Sequence, residues 1–291
     1  APWRMMNFIV LSFNPLAIFL FIIGTAVGSF LNVISLRYQG TKGVINFARL
    51  DGRSHCMHCR RQLRWYELIP IISFVLQRGT CRACRSRISW QYPLVELLTG
   101  FVFLLPFYFN RFYTFPAEHP YHEILPHLWV LVAVIMIVIA IIDWRLMIIP
   151  DELVAALGLI GVVFGILNSG SFVQNYEFLF PAIPWPLVNH LFASIVGIAV
   201  LGSIMIIGRG RAMGMGDVKL GGAFGLLLGF PDVVFALALG FVAGGLWSVL
   251  LLVLRRTTMK TMVPFGPFLI LGFWLHIFFS HTLVAWYFGL L

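Results

Sequence analysis

The chain is short of charge. Asp, Glu, Lys and Arg make up only 11% of its 291 residues, while 60% are hydrophobic and mean hydropathy is +0.94. Soluble domains carry about 25% charged residues, so this composition excludes an ordinary soluble protein. Acid is scarcest: 11 Asp and Glu in all, few enough to weigh one by one. Cysteine is held to four. No Gly-x-Ser-x-Gly elbow and no phosphate loop occur. Gly214-x-Gly216 lacks the third glycine and the preceding strand of a dinucleotide fingerprint. No internal repeat or low-complexity segment is evident. His122, Glu123 and His127 fail as a metalloprotease helix, because the histidines are five apart and Pro126 interrupts.

What the chain does have is long apolar runs. Segments near 16–36, 93–109, 124–142, 152–167, 187–207, 218–229, 233–254 and 265–285 read as membrane spans. The expected fold is an all-α polytopic membrane protein of about eight helices. It divides into 1–36 (N-terminus and first span), 37–92 (a small extramembrane domain) and 93–291 (a seven-helix membrane domain). The first run lacks a small-residue cleavage site and reads as a span rather than a cleavable signal. Prolines 181, 184 and 186 mark loop 168–186 as an irregular connection.

The formal charge of +9 is distributed by side of the membrane. With eight spans, all of the 20 Lys and Arg except Arg4 and Arg111 fall on one side. The positive-inside rule makes that side cytoplasmic and the termini periplasmic. The charge therefore does not indicate nucleic acid; the partner it implies is the bilayer. Gly24-x3-Gly28, the set Gly221, Gly225 and Gly229, and Gly240-x3-Gly244 are spaced for close helix packing.

Within 37–92 the cysteines form two knuckles, Cys56-Met57-His58-Cys59 and Cys81-Arg82-Ala83-Cys84. Two C-x2-C pairs at this separation predict a structural tetrathiolate zinc site, and a reducing cytoplasm argues against disulfides. His55 and His58 are alternative ligands that four cysteines make unnecessary. A metal staple suits a segment with too few apolar residues for a large core.

Asp51, Glu67, Glu118, Glu123, Glu177 and Asp232 fall in loops, where a solvated role is the default. Three aspartates are expected at one cytoplasmic membrane level: Asp143 at the end of the third span, Asp151 after Pro150, and Asp217 after Gly214-Met215-Gly216. Asp151 suits a helix N-cap. Asp143 sits where a negative charge opposes the helix dipole, so a cap does not explain it. Asp217 could cap its helix, but Gly214 and Gly216 suggest that another body approaches the backbone there. If Asp143 and Asp217 face each other, one can activate water while the other, protonated, polarises a peptide carbonyl. At ~4 Å and an effective dielectric near 20 the two charges repel by about 4 kcal/mol, enough to keep one proton on the pair.

These residues resemble the type IV prepilin peptidases, membrane aspartyl proteases of the Gly-x-Gly-Asp class. The resemblance runs through Gly28-Ser29-Phe30-Leu31-Asn32, both knuckles, Trp65 to Pro70, Tyr92 to Gly100, Asp143-x6-Ile149-Pro150-Asp151, Gly214 to Lys219, and Pro264-Phe265-Gly266-Pro267. It implies that Asp143 and Asp217 are the catalytic pair. It also implies cleavage of a prepilin or pseudopilin leader after glycine on the cytoplasmic side of the inner membrane. Methylation of the new N-terminus from S-adenosylmethionine would follow, though no cofactor fingerprint is present. Gly214, Gly216 and Lys219 would border the substrate backbone. Met57 departs from the family's usual proline, and Glu67 stands where Asp is common. The alternatives are a peptidase without methylation and a transporter with membrane-level aspartates. The sequence assigns no oligomeric state.

Overall fold

The computed structural model describes residues 15–40, 44, 52–107, 124–167, 185–210, 213–255 and 263–287, with side chains as far as Phe279. Loop 168–184, the segment with His122 and Glu123, and Asp51, Glu118 and Glu177 lie outside the described residues, as do Arg4 and Arg111.

The described structure is helical apart from two isolated β-bridges. In chain order the elements are α1 (Pro15–Arg37), a 3-10 turn (Trp65–Glu67), α2 (Ile72–Leu76), α3 (Gln91–Val102) and α4 (Leu125–Leu146). Then come α5 (Asp151–Ile166), α6 (Pro186–Ile207), α7 (Met215–Leu228), α8 (Asp232–Val253) and α9 (Gly266–Tyr287). Each of the eight expected spans coincides with a helix; among the described residues α1, α4, α6 and α8 are long and apolar enough to cross a membrane. The 16 residues of α5 and 14 of α7 extend about 24 and 21 Å at 1.5 Å per residue, short of a hydrocarbon core near 30 Å.

Two compact units divide the chain, Ala1–Arg37 with Ile45–Ile137 and Tyr38–Val44 with Val138–Leu291, so that the main break falls inside α4. In the first, α1 packs on α3. The expected small-residue spacing explains the approach: a Cβ on Gly24 would lie 2.7 Å from the Thr99 carbonyl oxygen, and one on Gly28 2.8 Å from Glu96 Cα. Asn32, Ser35 and Thr99 are buried in this unit. Ser35 and Thr99 donate back to carbonyls one turn earlier on their own helices.

In the second unit α7 is the centre, packed against α5, α6, α8 and α9, and 10 of its 14 residues are buried. Its glycines make this possible, since a Cβ on Gly221 or Gly225 would run into α6 at Leu201 or the Ala193 carbonyl. Gly229 meets the same helix, a Cβ there lying 2.8 Å from Asn189 Oδ1 of α6. It also ends α7 at φ +82°, a left-handed conformation natural to glycine. Gly240 and Gly244 of α8 let α9 approach at Leu269 and Phe265. The Phe224 and Phe273 rings meet at 4.6 Å in the core.

Candidate active site and cysteine cluster

Asp143 lies in the last turn of α4 and is buried. Its Oδ2 accepts the N–H of Gly266, the first residue of α9, at 3.0 Å. Asp217 is the third residue of α7, also buried, and its Oδ2 accepts the Gly214 N–H at 3.1 Å. Gly214 itself is the N-cap, so the carboxylate reaches back from the third helical position to the cap's own N–H. Asp217 Oδ1 is buried with no hydrogen-bond partner. The two carboxylates lie within electrostatic reach of each other. Among the described residues, neither has a cationic partner.

One side chain links the two halves of this arrangement. Ile149, in the connection between α4 and α5, lies 3.0 Å from where a Cβ on Gly216 would sit, and its Cδ1 lies 3.3 Å from the same point on Gly266. Gly214 is more open, its nearest neighbour being Asp217 Oδ2 at 3.6 Å. Nothing in the sequence singled out Ile149 or the Gly266 amide as partners of the aspartates; the only signal was their place in two recurring motifs.

Asp151 differs from the expectation. The N-cap of α5 is Pro150, and Asp151, one residue into the helix, turns its carboxylate outward to Lys219 Nζ at 2.8 and 2.9 Å. Both side chains are substantially exposed. Lys219 is therefore engaged with α5. Two of the acids assigned a solvated role are buried instead. Glu67 accepts from the Arg61 guanidinium and the Arg64 N–H. Asp232 opens α8, fully buried, with Oδ1 3.0 Å from His276 Nε2 of α9. Counting loop position alone overlooked that a short connection between packed helices is interior.

The four cysteine sulfurs all lie within 4.8 Å of one another, and Cys56 Sγ stands 3.9 Å from Cys84 Sγ. All four are free thiols. Tetrahedral zinc with Zn–S bonds near 2.3 Å places sulfurs about 3.8 Å apart, so the donor set fits that ion. The two knuckles repeat each other. In each, the first cysteine's N–H donates five residues ahead, to Arg61 or Ser86, and its carbonyl accepts from Arg60 or Arg85. Those two arginines have φ of 57° and 56°, and the bridges His55–Gln62 and Thr80–Arg87 close the loops. This short structural repeat escaped the sequence reading. The Ser86 hydroxyl and N–H pull the Cys84 thiol down to about 6. At Cys59 the Arg61 N–H favours the thiolate, yet desolvation and the neighbouring Cys84 and Cys56 sulfurs push it up to about 11. Four crowded thiols thus resist ionising together, and a divalent cation removes that conflict.

Residues 22–109 match the Bacterial Peptidase A24 N-terminal domain, and residues 130–249 match the Type IV leader peptidase family. A Stutzerimonas stutzeri protein named prepilin leader peptidase/N-methyltransferase is 30% identical over 302 residues, covering 95% of this chain and 96% of its own. The chain belongs to the type IV leader peptidase family. A relative of the same name from Aeromonas hydrophila is 31% identical over 240 residues, 81% of this chain and 74% of its own. One from Bacillus subtilis is 27% identical over 270 residues, 92% and 96%. No solved structure matches the chain. As a leader peptidase family member with several apolar helices it is a membrane enzyme of the aspartic type.

Proposed function

We propose that the chain is an intramembrane aspartyl endopeptidase that removes the leader of a type IV prepilin or pseudopilin after glycine, with Asp143 and Asp217 as its catalytic pair. The observation that carries this is the state of the two carboxylates. Each is buried and oriented by a single backbone N–H, and among the described residues neither is neutralised by a cation. Buried carboxylates without a counter-charge are expensive, and at membrane depth such groups are by default functional. Asp151, Asp232 and Glu67 each have a cationic or imidazole partner and lack that character.

In the reaction one carboxylate of the pair takes a proton from water as the oxygen attacks the scissile carbonyl. The other, protonated, donates its proton to the carbonyl oxygen as charge develops; on collapse the first passes the proton it took from water to the leaving amine, and the second regains a proton from the hydroxyl that becomes the new carboxyl carbonyl. The Gly266 and Gly214 amides fix the two acids, leaving Asp217 Oδ1 available for the exchange. The open space at Gly214 supports an approach of the substrate backbone from that side, with Gly216 and Lys219 at its border.

The finer reading has eight spans, periplasmic termini, and the site and cysteine segment on the cytoplasmic side of the inner membrane. Residues 37–92 form a domain that holds zinc through Cys56, Cys59, Cys81 and Cys84; bound there, the ion has no open position and acts as a staple. Methylation of the new N-terminus from S-adenosylmethionine follows the double name of the relatives, and no described residue is assigned to the donor. A peptidase without methylation is the second reading.

The test is cleavage of purified prepilin by the detergent-solubilised enzyme, read by mass spectrometry of the product. Wild type should cleave, and Asp143→Asn and Asp217→Asn should each reduce cleavage to background while zinc content and helicity stay normal. Retained activity in either variant removes the pair. An extra product mass of one CH2 on adding S-adenosylmethionine separates the two enzymatic readings.

A further inference from the structure

The cysteine-bearing segment carries an apolar surface that the peptidase mechanism does not use. Helix α2 exposes Ile72, Val75 and Leu76 at 56, 65 and 69%. Their i, i+3, i+4 spacing gathers them on one helix face. These exposures hold in the whole chain, so no described element covers that face. Phe74 of α2 meets the Trp90 ring at 4.9 Å, and Trp90 is itself 76% exposed. From Trp90 the exposed apolar positions continue down α3 as Leu94, Leu97, Leu98 and Phe101, again at helical spacing. That face of α3 would meet lipid, given the membrane reading of α1 and α3 above, and Phe74, on the other side of α2 from Ile72, Val75 and Leu76, joins α2 to its Trp90 end.

The surroundings are cationic. Residues 52–91 contain eight arginines against one acid, Glu67, and that acid is buried and taken by Arg61. Arg64 and Arg78 flank the 3-10 turn and α2 in the chain, both exposed, and the Arg82 guanidinium lies 5.1 Å over the Tyr66 ring. An apolar face rimmed by arginine, with exposed tryptophan nearby and its helix joined to a lipid-facing one, has the composition of a monotopic membrane anchor. Anionic lipid on a cytoplasmic leaflet supplies the complementary charge.

We propose that α2 and its aromatic neighbours lie in the headgroup boundary of an anionic bilayer, so that the cysteine segment rests on the membrane instead of standing free in the aqueous phase. Ile72, Val75 and Leu76 enter the acyl boundary, Trp65 and Trp90 sit at the interface, and Arg64 and Arg78 hold phosphate groups. Seating the segment in this way fixes its height against the ends of α1 and α3.

The experiment uses the full chain in lipid nanodiscs with Leu76→p-benzoylphenylalanine, a photoreactive residue at an exposed position. The discs hold phosphatidylcholine alone or with phosphatidylglycerol. After irradiation, the peptide spanning residue 76 should carry a lipid adduct in both. In mixed discs, phosphatidylglycerol adducts should exceed that lipid's mole fraction by about threefold or more. The double variant Arg64→Gln/Arg78→Gln, on the same background, should lose that preference while keeping the adduct. Zinc content of each variant reports that the cysteine cluster is intact. Water-quenched probe with no lipid adduct overturns the proposal, as does crosslinking of residue 76 to a co-purifying protein or to a second copy of the chain. Equal labelling by both lipids overturns the arginine half of it.

Discussion

Three glycines around the aspartates should respond to alanine in a graded order. At Gly266 a methyl would sit 2.7 Å from Asp143 Oδ2, closer than a carbon and an oxygen can rest. The carboxylate must swing away, and its 3.0 Å bond from the Gly266 N–H goes with it. Losing a backbone bond to a charged group costs about 1.5–3 kcal/mol, and relieving the overlap adds to that within a typical 1–3 kcal/mol. Taking about 2–3 kcal/mol as the share felt at the barrier, kcat falls roughly 30- to 150-fold. At Gly216 the methyl meets Ile149 Cβ at 3.0 Å. A β-branched side chain is stiff, but a shift of a few tenths of an ångström suffices, so about 1 kcal/mol and a loss near fivefold are expected. At Gly214 the nearest atom is 3.6 Å away, an ordinary contact, and packing alone leaves the enzyme close to wild type. If substrate backbone passes over Gly214, its alanine variant will instead raise KM with kcat little changed. Steady-state cleavage of a prepilin in detergent, with helicity and zinc content as folding controls, reads all three. Wild-type kcat in Gly266→Ala would refute the idea that this amide orients Asp143. Equal losses in all three would refute the graded packing argument.

Asp151→Asn should cleave within a few-fold of wild type, because an exposed ion pair contributes about 0–1 kcal/mol and the amide still offers Lys219 an oxygen; a loss equal to that of Asp143→Asn would sink the surface role. His276→Ala strands a fully buried Asp232 and should lower stability by about 3–5 kcal/mol, seen as a large drop in melting temperature with cleavage per folded molecule preserved. Purified enzyme should hold about one zinc per chain, and replacing Cys81 by serine should release it. Burial alone would raise the Glu67 carboxyl, but the Arg64 N–H and the Arg61 guanidinium outweigh it and hold the group below its usual range. Its stabilising effect is therefore complete above an unfolded value near 4.3 and fades only as pH falls through the lower folded value. Zinc should stay bound at pH 6 and be lost steeply in stronger acid, with Glu67→Gln releasing it to a chelator faster at neutral pH.

Much of this was legible in the sequence because bilayer and metal each impose a simple rule. Apolar runs located the helices, and the C-x2-C spacing located a cluster whose four sulfurs lie together. What stayed hidden depended on neighbours distant in the chain. The Gly266 amide reaches Asp143 across 123 positions, and no local pattern encodes that. At α3 the expected span 93–109 is met by helix Gln91–Val102 and, after a short break, a helical turn at 105–107, a break that an apolar run does not announce, with 108 and 109 outside the described residues. Asp232 was misjudged for a different reason. It stands at a helix start beside prolyl and glycyl residues, as surface acids do, and only the packing of α9 against α8 explains its burial.

The contrast between Asp232 and the pair at Asp143 and Asp217 bears on the transporter alternative. A cation pathway needs acids that can exchange their partner with water. Asp232 is sealed, its one acceptor bond going to an equally buried His276, so it suits the tying of α8 to α9 better than transit. Asp143 and Asp217 sit at helix ends, where Met215 and Trp144 beside them are more than half exposed. Each spends one oxygen on an amide that cannot move without moving a helix. Fixed orientation with a free second oxygen is what proton transfer to a positioned peptide requires, whereas ion coordination would draw on all four oxygens and on mobile carbonyls. The rigidity of these two acids therefore argues for chemistry on a bound chain and against passage of an ion.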